Sequence, residues 1–171
     1  MDARYMRNLS ALSEEECRLL RTKRILVVGC GGLGGYIIEM LTRIGVGAIR
    51  AVDGDRFEES NLNRQLLSLP ELLGASKAVV AAARISQVNP DVKAEAHYAF
   101  FDEANAEKLI SGCDLVMDAL DNIESRRILA AWCEKLGVPL VYGQSPVGWH
   151  RLQYPCPVMI LLKSFIPAVL R

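Results

Sequence analysis

The 171-residue chain is 51% hydrophobic and carries 20 basic and 20 acidic residues, so its formal net charge is zero. This composition suffices for one domain with a full core, and it gives no electrostatic signal for nucleic acid, whose binding needs a basic face. The polar start, the short apolar runs and five cysteines without a C-x-x-C pair exclude the patterns of a signal peptide, a membrane span, a disulfide framework and a zinc site. We therefore expect a cytoplasmic protein with no membrane partner.

Two short segments precede the first predicted strand, and we take residues 1–22 as an N-terminal helical extension. Met1–Leu12 is polar, and by itself it indicates a frayed basic terminus. Ser13 and Glu16 have the spacing of a capping box, which predicts a short amphipathic helix from Ser13 to Arg21 that covers one side of a sheet.

A glycine-rich turn follows the first strand, Arg24–Val28, and opens a helix from about Leu33 to Arg43. Glycines 29, 31 and 34 have the G-x-G-x-x-G spacing, which permits a sharp turn, a close approach of backbone to phosphate and tight packing of helix on strand. The second strand, Ala48–Asp53, ends in an acid about twenty residues later, where such folds bind ribose hydroxyls. The strand, turn, helix and acid together predict a nucleotide site rather than a bare tight turn.

A long polar segment, residues 53–65, comes where a simple dinucleotide fold would begin a helix. Most polar loops are solvated connections, but the spacing of Asn61, Arg64 and Gln65 also allows one side of a helical turn. The next helix begins at Lys77, an unfavourable place for a cation unless it serves the surface or reaches a phosphate. It ends before Asn89-Pro90, and the third strand follows at Val92–Tyr98.

The second half predicts a short helix at 102–110, a fourth strand at 114–120, a helix at 123–136 and a fifth strand at 138–142. Alternating strands and helices predict an α/β fold, a Rossmann-like doubly wound parallel sheet in the order 3-2-1-4-5, within a nucleotide-binding domain spanning residues 23–149. The fourth strand delivers Asp118 and Asp121 to its carboxyl end, where two acids suit Mg²⁺, although Asp121 also has the position of a helix cap.

These motifs, GxGGLGG, DxD, SNLNRQ, a lysine at a helix start and DALDN, resemble the MoeB/ThiF/HesA family, bacterial relatives of ubiquitin-activating enzymes. The stretch Arg4–Asn8 is similar to the R-Y-x-R-Q start of that family. The resemblance covers Arg4 to about Trp149 and implies Mg-ATP as cosubstrate. It implies adenylation of the C-terminal glycine carboxylate of a ubiquitin-like sulfur-carrier protein ending in Gly-Gly, with release of pyrophosphate.

The resemblance also assigns roles to individual residues. It implies that Gly29, Gly31, Gly32, Leu33 and Gly34 form the phosphate turn and that Asp53 binds ribose. The triphosphate is expected to meet Asn61, Arg64, Gln65 and Lys77, and the nucleotide-contacting set also includes Asp55 and Asn122. Asp121 is expected to hold Mg²⁺, and Arg7 is expected to cross the interface of a homodimer into the neighbouring site. The expected catalytic residues are Arg64, Asp121, Arg7 and Lys77.

Residues 150–171 form an atypical apolar tail that departs from the family pattern, so no zinc is predicted and the lone Cys156 is not expected to be an acceptor cysteine. Three alternatives stay open. One is a truncated relative that binds nucleotide without turnover, another is ATP-dependent dehydration of a tRNA-linked carboxylate, and the third is a nicotinamide-dependent oxidoreductase. The last uses the same glycines and Asp53, but it gives no reason for Arg64 and Lys77 to gather at the phosphates.

Overall fold

A computed structural model describes residues 2–142, and it has one five-stranded, all-parallel sheet in the order 3-2-1-4-5. The strands are β1 (Arg24–Val28), β2 (Ala48–Val52), β3 (Lys93–His97), β4 (Leu115–Asp118) and β5 (Leu140–Tyr142). The helices are α1 (Glu14–Leu20), α2 (Gly32–Ile44), α3 (Lys77–Val88), α4 (Ala106–Ile110) and α5 (Ile123–Leu136), with 3₁₀ segments at Ala3–Ser10, Glu59–Asn61 and Pro70–Leu72. The predicted fold class and strand order are confirmed.

Both faces of the sheet are covered, which explains why β1 is apolar at successive positions. Ile25 and Val27 pack in the layer that contains α2 and α3, whereas Leu26 and Val28 pack in the layer that contains α4 and α5. The register aligns Val28 with Val52 and with Asp118. The residues that follow β1, β2 and β4 therefore gather at one edge of the sheet, which we call the carboxyl edge.

The largest difference between the predicted and the observed element limits is at the start of α4. The helix predicted from Asp102 begins at Ala106, because the Asp102 carboxylate accepts hydrogen bonds from the backbone N–H groups of Ala104 and Asn105 and holds a turn there. The capping box of Ser13 and Glu16 is present as predicted. Among residues 2–142, no helix is both long and apolar enough to cross a bilayer.

The start of the chain is packed, so the expectation of a frayed terminus from that stretch alone was wrong. Tyr5 is buried against Gly45, where a Cβ would overlap with the tyrosine ring. Its hydroxyl accepts a hydrogen bond from the fully buried Asn89 amide at 2.7 Å, and the same amide nitrogen donates to the carbonyl of Thr42 at 3.0 Å. The segment is therefore fixed at the opposite, amino edge of the sheet.

The polar segment after β2 is also packed rather than a solvated connection. Phe57 is fully buried, and its backbone N–H donates to the carbonyl of Ala75 at 2.9 Å. Residues 56 and 76 form an isolated antiparallel bridge. The segment thus folds back on the start of α3 and keeps its polar side chains near the carboxyl edge.

Candidate active site

A cavity of about 560 Å³ lies at the carboxyl edge, a volume typical of small-molecule sites. The ends of β1, β2 and β4, the polar segment, the loop after β3 and the start of α5 all contribute to its wall. It is lined by eleven of the residues predicted for the site: Gly29, Gly31, Gly32, Leu33, Asp53, Asp55, Arg64, Gln65, Lys77, Asp121 and Asn122.

The glycine turn is shaped by two close approaches and leaves two open positions. Gly29 has φ +95°, and a Cβ there would lie 2.6 Å from the carbonyl oxygen of Ala119. Gly34 lies behind the cavity, where a Cβ would overlap with the carbonyl of Gly29. At Gly31 a Cβ would meet only the Gln65 amide, at 3.5 Å, and at Gly32 it would meet only the carbonyl oxygen of Arg64, at 4.0 Å. These two positions leave the most room.

Helix α2 begins at this turn without a side-chain cap from the described residues. The backbone N–H groups of the first helical turn have no partner within the helix, and they carry the positive end of its dipole. Gly31, Gly32 and Leu33 line the cavity, so this end of the helix faces it. The turn is therefore suited to an anion such as a phosphate.

Asp53 is held in place by the backbone beside it. Its carboxylate accepts hydrogen bonds from the N–H of Cys30 at 2.7 Å and from the N–H of Asp55 at 2.8 Å. Burial raises the pKa of Asp53, and the two backbone hydrogen bonds oppose that rise. Each carboxylate oxygen keeps a second lone pair, so the group can accept hydroxyl donors from a ligand without moving.

Lys77 is nearly buried at the first position of α3, where the helix dipole disfavours a cation. Its ammonium lies 3.0 Å from a carboxylate oxygen of Asp55, which supplies the missing counter-charge. Both side chains line the cavity. A ligand phosphate entering there would meet an ammonium group already held in place.

Three residues of the polar segment differ in their surroundings. Arg64 lines the cavity, and its guanidinium donates to the carbonyl of Ser60 at 2.7 Å. Gln65 is buried in the wall, and its Oε1 has no hydrogen-bond partner among the described residues. Asn61 lies outside the cavity, where its Oδ1 accepts from the backbone N–H of Glu58 at 3.0 Å.

The two acids at the carboxyl end of β4, Asp118 and Asp121, have different environments. Asp118 is fully buried, and its carboxylate accepts hydrogen bonds from Arg126 Nε at 2.9 Å and from the N–H of Leu120 at 3.0 Å. Asn122 caps α5 by accepting from the N–H of Ser125 at 2.8 Å, so Asp121 is not the cap. Asp121 is exposed and lines the cavity.

The donor set for a cation in this cavity is small. Among residues 2–142, no three His, Cys, Asp or Glu side chains come together as a metal cluster. Mg²⁺ commonly uses one or two carboxylates and completes its shell with phosphate oxygens and water. Asp121 fits that role, whereas the engaged carboxylate of Asp118 does not.

Arg7 lies far from the cavity of its own subunit. The adjacent Asn8 side chain donates to the carbonyl of Ile44 at 3.1 Å, at the end of α2 opposite the glycine turn. Thirteen helical residues span about 20 Å, which is well beyond the reach of an arginine side chain. Any contact between Arg7 and a ligand at this site would need a second copy of the chain.

The wall of the cavity includes residues that the sequence reasoning missed, namely Ala99, Phe100, Phe101, Ala119, Leu120, Ile123, Ser125 and Arg126. The position of Phe100 and Phe101, three and four residues past the end of β3, is a signal that could have identified them. Nothing in the sequence singled out Arg126, because its place depends on the buried carboxylate of Asp118.

Comparisons with known proteins agree with this geometry. The profile of the ThiF family matches residues 4–150. The chain is 42% identical over 130 residues to a SAMP-activating enzyme E1 of Haloferax volcanii, covering 76% of this chain and 48% of that protein. It is 39% identical over 142 residues to a sulfur carrier protein adenylyltransferase of Thermus thermophilus, covering 82% and 52%.

A solved structure adds a three-dimensional comparison. The complex of Escherichia coli tRNA N6-threonylcarbamoyladenosine dehydratase with ATP superposes with a TM-score of 0.81 at 33% identity, covering 86% of this chain and 61% of that one. The chain spans about half the length of the Haloferax volcanii and Thermus thermophilus relatives.

Proposed function

Because the chain belongs to the ThiF family, we propose that it is an ATP-dependent adenylyltransferase acting on the C-terminal glycine carboxylate of a ubiquitin-like sulfur-carrier protein. The observation that carries this proposal is one cavity lined by the glycine turn, by Asp53, and by the cations Arg64 and Lys77. Relatives named as a SAMP-activating enzyme E1 and a sulfur carrier protein adenylyltransferase support the substrate class.

In this proposal the triphosphate lies over the start of α2. The free N–H groups of the first turn and the Lys77 ammonium bind its oxygens, and Arg64 offers a planar pair of donors. Gln65 would contact the triphosphate through its amide nitrogen, since its Oε1 and the phosphate oxygens are both acceptors. Asp53 accepts the ribose hydroxyls.

The chemical step needs positioning and cationic charge rather than a base. An oxygen of the carrier carboxylate attacks the α-phosphorus, the bond from that phosphorus to the bridging oxygen breaks, and pyrophosphate leaves with the electron pair. The carboxylate is already ionised at neutral pH, so no proton has to be removed. Arg64 and Lys77 stabilise the charge that develops on the phosphate oxygens.

A divalent cation would neutralise phosphate charge in the same step. Asp121 is the residue proposed to hold Mg²⁺, since its carboxylate lines the cavity without serving as the helix cap. Asp55 and Asn122 line the same cavity and belong to the proposed nucleotide-contacting set.

A homodimer is part of the proposal because of Arg7. The segment Ala3–Ser10 is fixed about 20 Å from its own glycine turn, so Arg7 serves catalysis only if it enters the cavity of a second subunit. Cytoplasmic placement is also proposed. Cys17, Cys30, Cys113 and Cys133 are buried free thiols, which suits a reducing compartment.

ATP–pyrophosphate exchange tests the function directly. We expect exchange that depends on a carrier ending in Gly-Gly, and we expect Asp121→Ala to abolish it while the variant stays folded by circular dichroism. Glu124→Ala is a matched control, because Glu124 is a neighbouring exposed acid outside the cavity wall. Wild-type rates in Asp121→Ala would show that Asp121 is not the metal residue.

The exchange assay, together with calorimetric binding measurements, separates the alternatives. Exchange stimulated by a tRNA bearing a carboxylate instead of by the carrier would favour the dehydratase-like activity, which the similarity to the E. coli dehydratase motivates. Binding of ATP without exchange would indicate a nucleotide-binding protein without turnover. Binding of NAD with no response to ATP, measured by calorimetry, would favour the oxidoreductase.

A further inference from the structure

Phe100 is 69% exposed, although it is a large apolar side chain in the wall of the cavity. Its neighbour Phe101 is buried in the core layer beneath α5. An exposed aromatic ring beside a ligand site either is a mobile rim residue or is held for contact with the ligand. The surroundings of Phe100 distinguish these two cases.

The backbone that carries Phe100 is held from two sides. The Asn105 side chain donates to the carbonyl of Phe100 at 2.7 Å, and the Ser125 hydroxyl donates to the carbonyl of Phe101 at 3.3 Å. Asp102 in turn accepts from the N–H groups of Ala104 and Asn105. The ring is therefore exposed on a fixed loop.

The ring of Phe100 also packs on a defined surface. A Cβ on Gly54 would lie 2.6–2.7 Å from three atoms of the Phe100 ring, so the ring rests directly on the Gly54 backbone. Gly54 stands between Asp53 and Asp55, both of which line the cavity. One face or edge of the ring is thus held beside the carboxylate that is proposed to bind ribose.

The sheet order fixes the direction in which a nucleotide would run. With phosphates at the end of β1 and ribose at the end of β2, the base continues toward the end of β3, where Phe100 lies three residues past His97. Neighbouring strands are about 4.8 Å apart, so β1 and β3 are separated by about 10 Å, which is comparable to the extent of a nucleoside monophosphate.

Resting on the proposed function, we propose that Phe100 stacks on the base of the nucleotide and determines base preference at this site. Ala99, Phe101 and Leu120 add apolar side chains to the cavity wall, which also includes the polar side chains of Asn122 and Ser125. Stacking area is larger for purines than for pyrimidines. Phe100 therefore favours purine over pyrimidine triphosphates.

Isothermal titration of the full chain with ATP, CTP and inorganic triphosphate tests this assignment. Base–aromatic stacking is worth about 1–3 kcal/mol per base by alanine substitution, so Phe100→Ala should weaken ATP binding at least about fivefold. The affinity of the variant for CTP should fall less, so the ratio of ATP affinity to CTP affinity becomes smaller. Its affinity for inorganic triphosphate should equal that of the wild type. Phe100→Trp should restore the affinity for ATP.

Two further variants exclude a general effect on the loop. Tyr98→Ala removes an exposed aromatic two residues away that stacks with Arg56 at 5.1 Å and does not line the cavity, and it should leave all three affinities unchanged. Gly54→Ala should displace the ring and weaken ATP binding much as Phe100→Ala does. Combining Gly54→Ala with Phe100→Ala should add little, because both changes remove the same contact.

The outcomes separate this inference from the proposed function. If wild type binds ATP and Phe100→Ala binds it equally well, the stacking role is wrong while the nucleotide site stands. If Phe100→Ala lost equal affinity for ATP and for inorganic triphosphate, the stacking role would also be wrong, since the substitution would then act on phosphate binding. If wild type does not bind ATP, the inference and the proposed function fail together.

Discussion

The two edges of the parallel sheet are both rich in polar side chains, but they use them in different ways. At the amino edge the Asn89 amide is saturated: it donates to the Tyr5 hydroxyl and to the carbonyl of Thr42, and it accepts from Arg4. At the carboxyl edge Gln65 Oε1 has no partner among the described residues, and Asp121 and Arg64 face the cavity.

This difference separates polar groups that stabilise the fold from polar groups that await a ligand. A buried polar group whose hydrogen bonds are complete adds stability, and its removal leaves its partners unsatisfied. A buried polar group without a partner costs folding free energy, whereas an accessible one that is held in place keeps its bonding capacity for a ligand. Substitutions at the amino edge should therefore change stability, and those at the carboxyl edge should change ligand affinity.

The largest effect on stability is expected at Asn89. Asn89→Ala removes a fully buried amide and leaves the Tyr5 hydroxyl and the Thr42 carbonyl without their partner. We expect the free energy of unfolding to fall by about 3 kcal/mol in urea titrations, with the Kd for ATP unchanged. Ser86→Ala, an exposed position on α3, serves as the control. Equal loss of stability and of ATP affinity would contradict the separation of the two edges.

A mixing experiment tests whether Arg7, at the amino edge of one subunit, contributes to the cavity at the carboxyl edge of another. Arg7→Ala and Arg64→Ala should each reduce carrier-dependent exchange about 100-fold or more. An equimolar mixture that exchanges subunits freely should recover about a quarter of wild-type activity. Half of its dimers would be mixed, and one of their two sites would be intact. No recovery in a mixture shown to contain mixed dimers would place Arg7 in a different role.

A smaller effect, on ATP affinity, is expected from substitution of Lys77, whose ammonium is paired with Asp55 at 3.0 Å. Lys77→Met keeps the length of the side chain and removes the charge, so we expect about tenfold weaker ATP binding. Stability should change by less than about 1 kcal/mol, because the lost ion pair is partly offset by removing a cation from a helix N-terminus. Lys135→Met, on the last turn of α5, is the control. An unchanged Kd would remove Lys77 from the site.

The smallest effect tests a contact that belongs to neither edge. Glu39 on α2 accepts two hydrogen bonds from Arg84 on α3, at 2.8 and 2.9 Å. These bonds hold the pKa of Glu39 below its ordinary value, although burial opposes them. The ion pair therefore stabilises the fold above the ordinary glutamate pKa, and this contribution is lost as the pH falls through the lowered one. Glu39→Gln should cost about 1 kcal/mol at pH 7, and this cost should shrink as the pH falls below the ordinary glutamate pKa. A difference independent of pH would contradict the ionic origin.

The sheet could be predicted from the sequence because its signals are local. Strands buried on both faces are continuous aliphatic runs, and the helix from Ile123 to Leu136 was predicted with its observed limits, although its N-cap is Asn122 and not Asp121. The packed position of Tyr5 could not be predicted, since it depends on Gly45 and Asn89, which are 40 and 84 residues away.

Parts of the candidate site could not be predicted from the sequence for the same reason. Asp118 and Asp121 look equivalent as two acids three residues apart, and only the contact with Arg126 distinguishes the engaged carboxylate from the available one. The predicted phosphate residue Asn61 lies outside the cavity wall, because its side chain closes a local turn instead. The tail at 150–171 and Cys156 lie outside the described residues, so the predictions made for them stand as predictions.

The most direct test of the central claim is a crystal structure of the chain with Mg²⁺ and a non-hydrolysable ATP analogue. We expect the triphosphate to lie over the turn from Gly29 to Gly34, with the ribose hydroxyls on Asp53 and the Arg64 guanidinium on a phosphate oxygen. An analogue bound at another edge of the sheet, or Arg64 directed into solvent away from both this cavity and that of a second subunit, would contradict it.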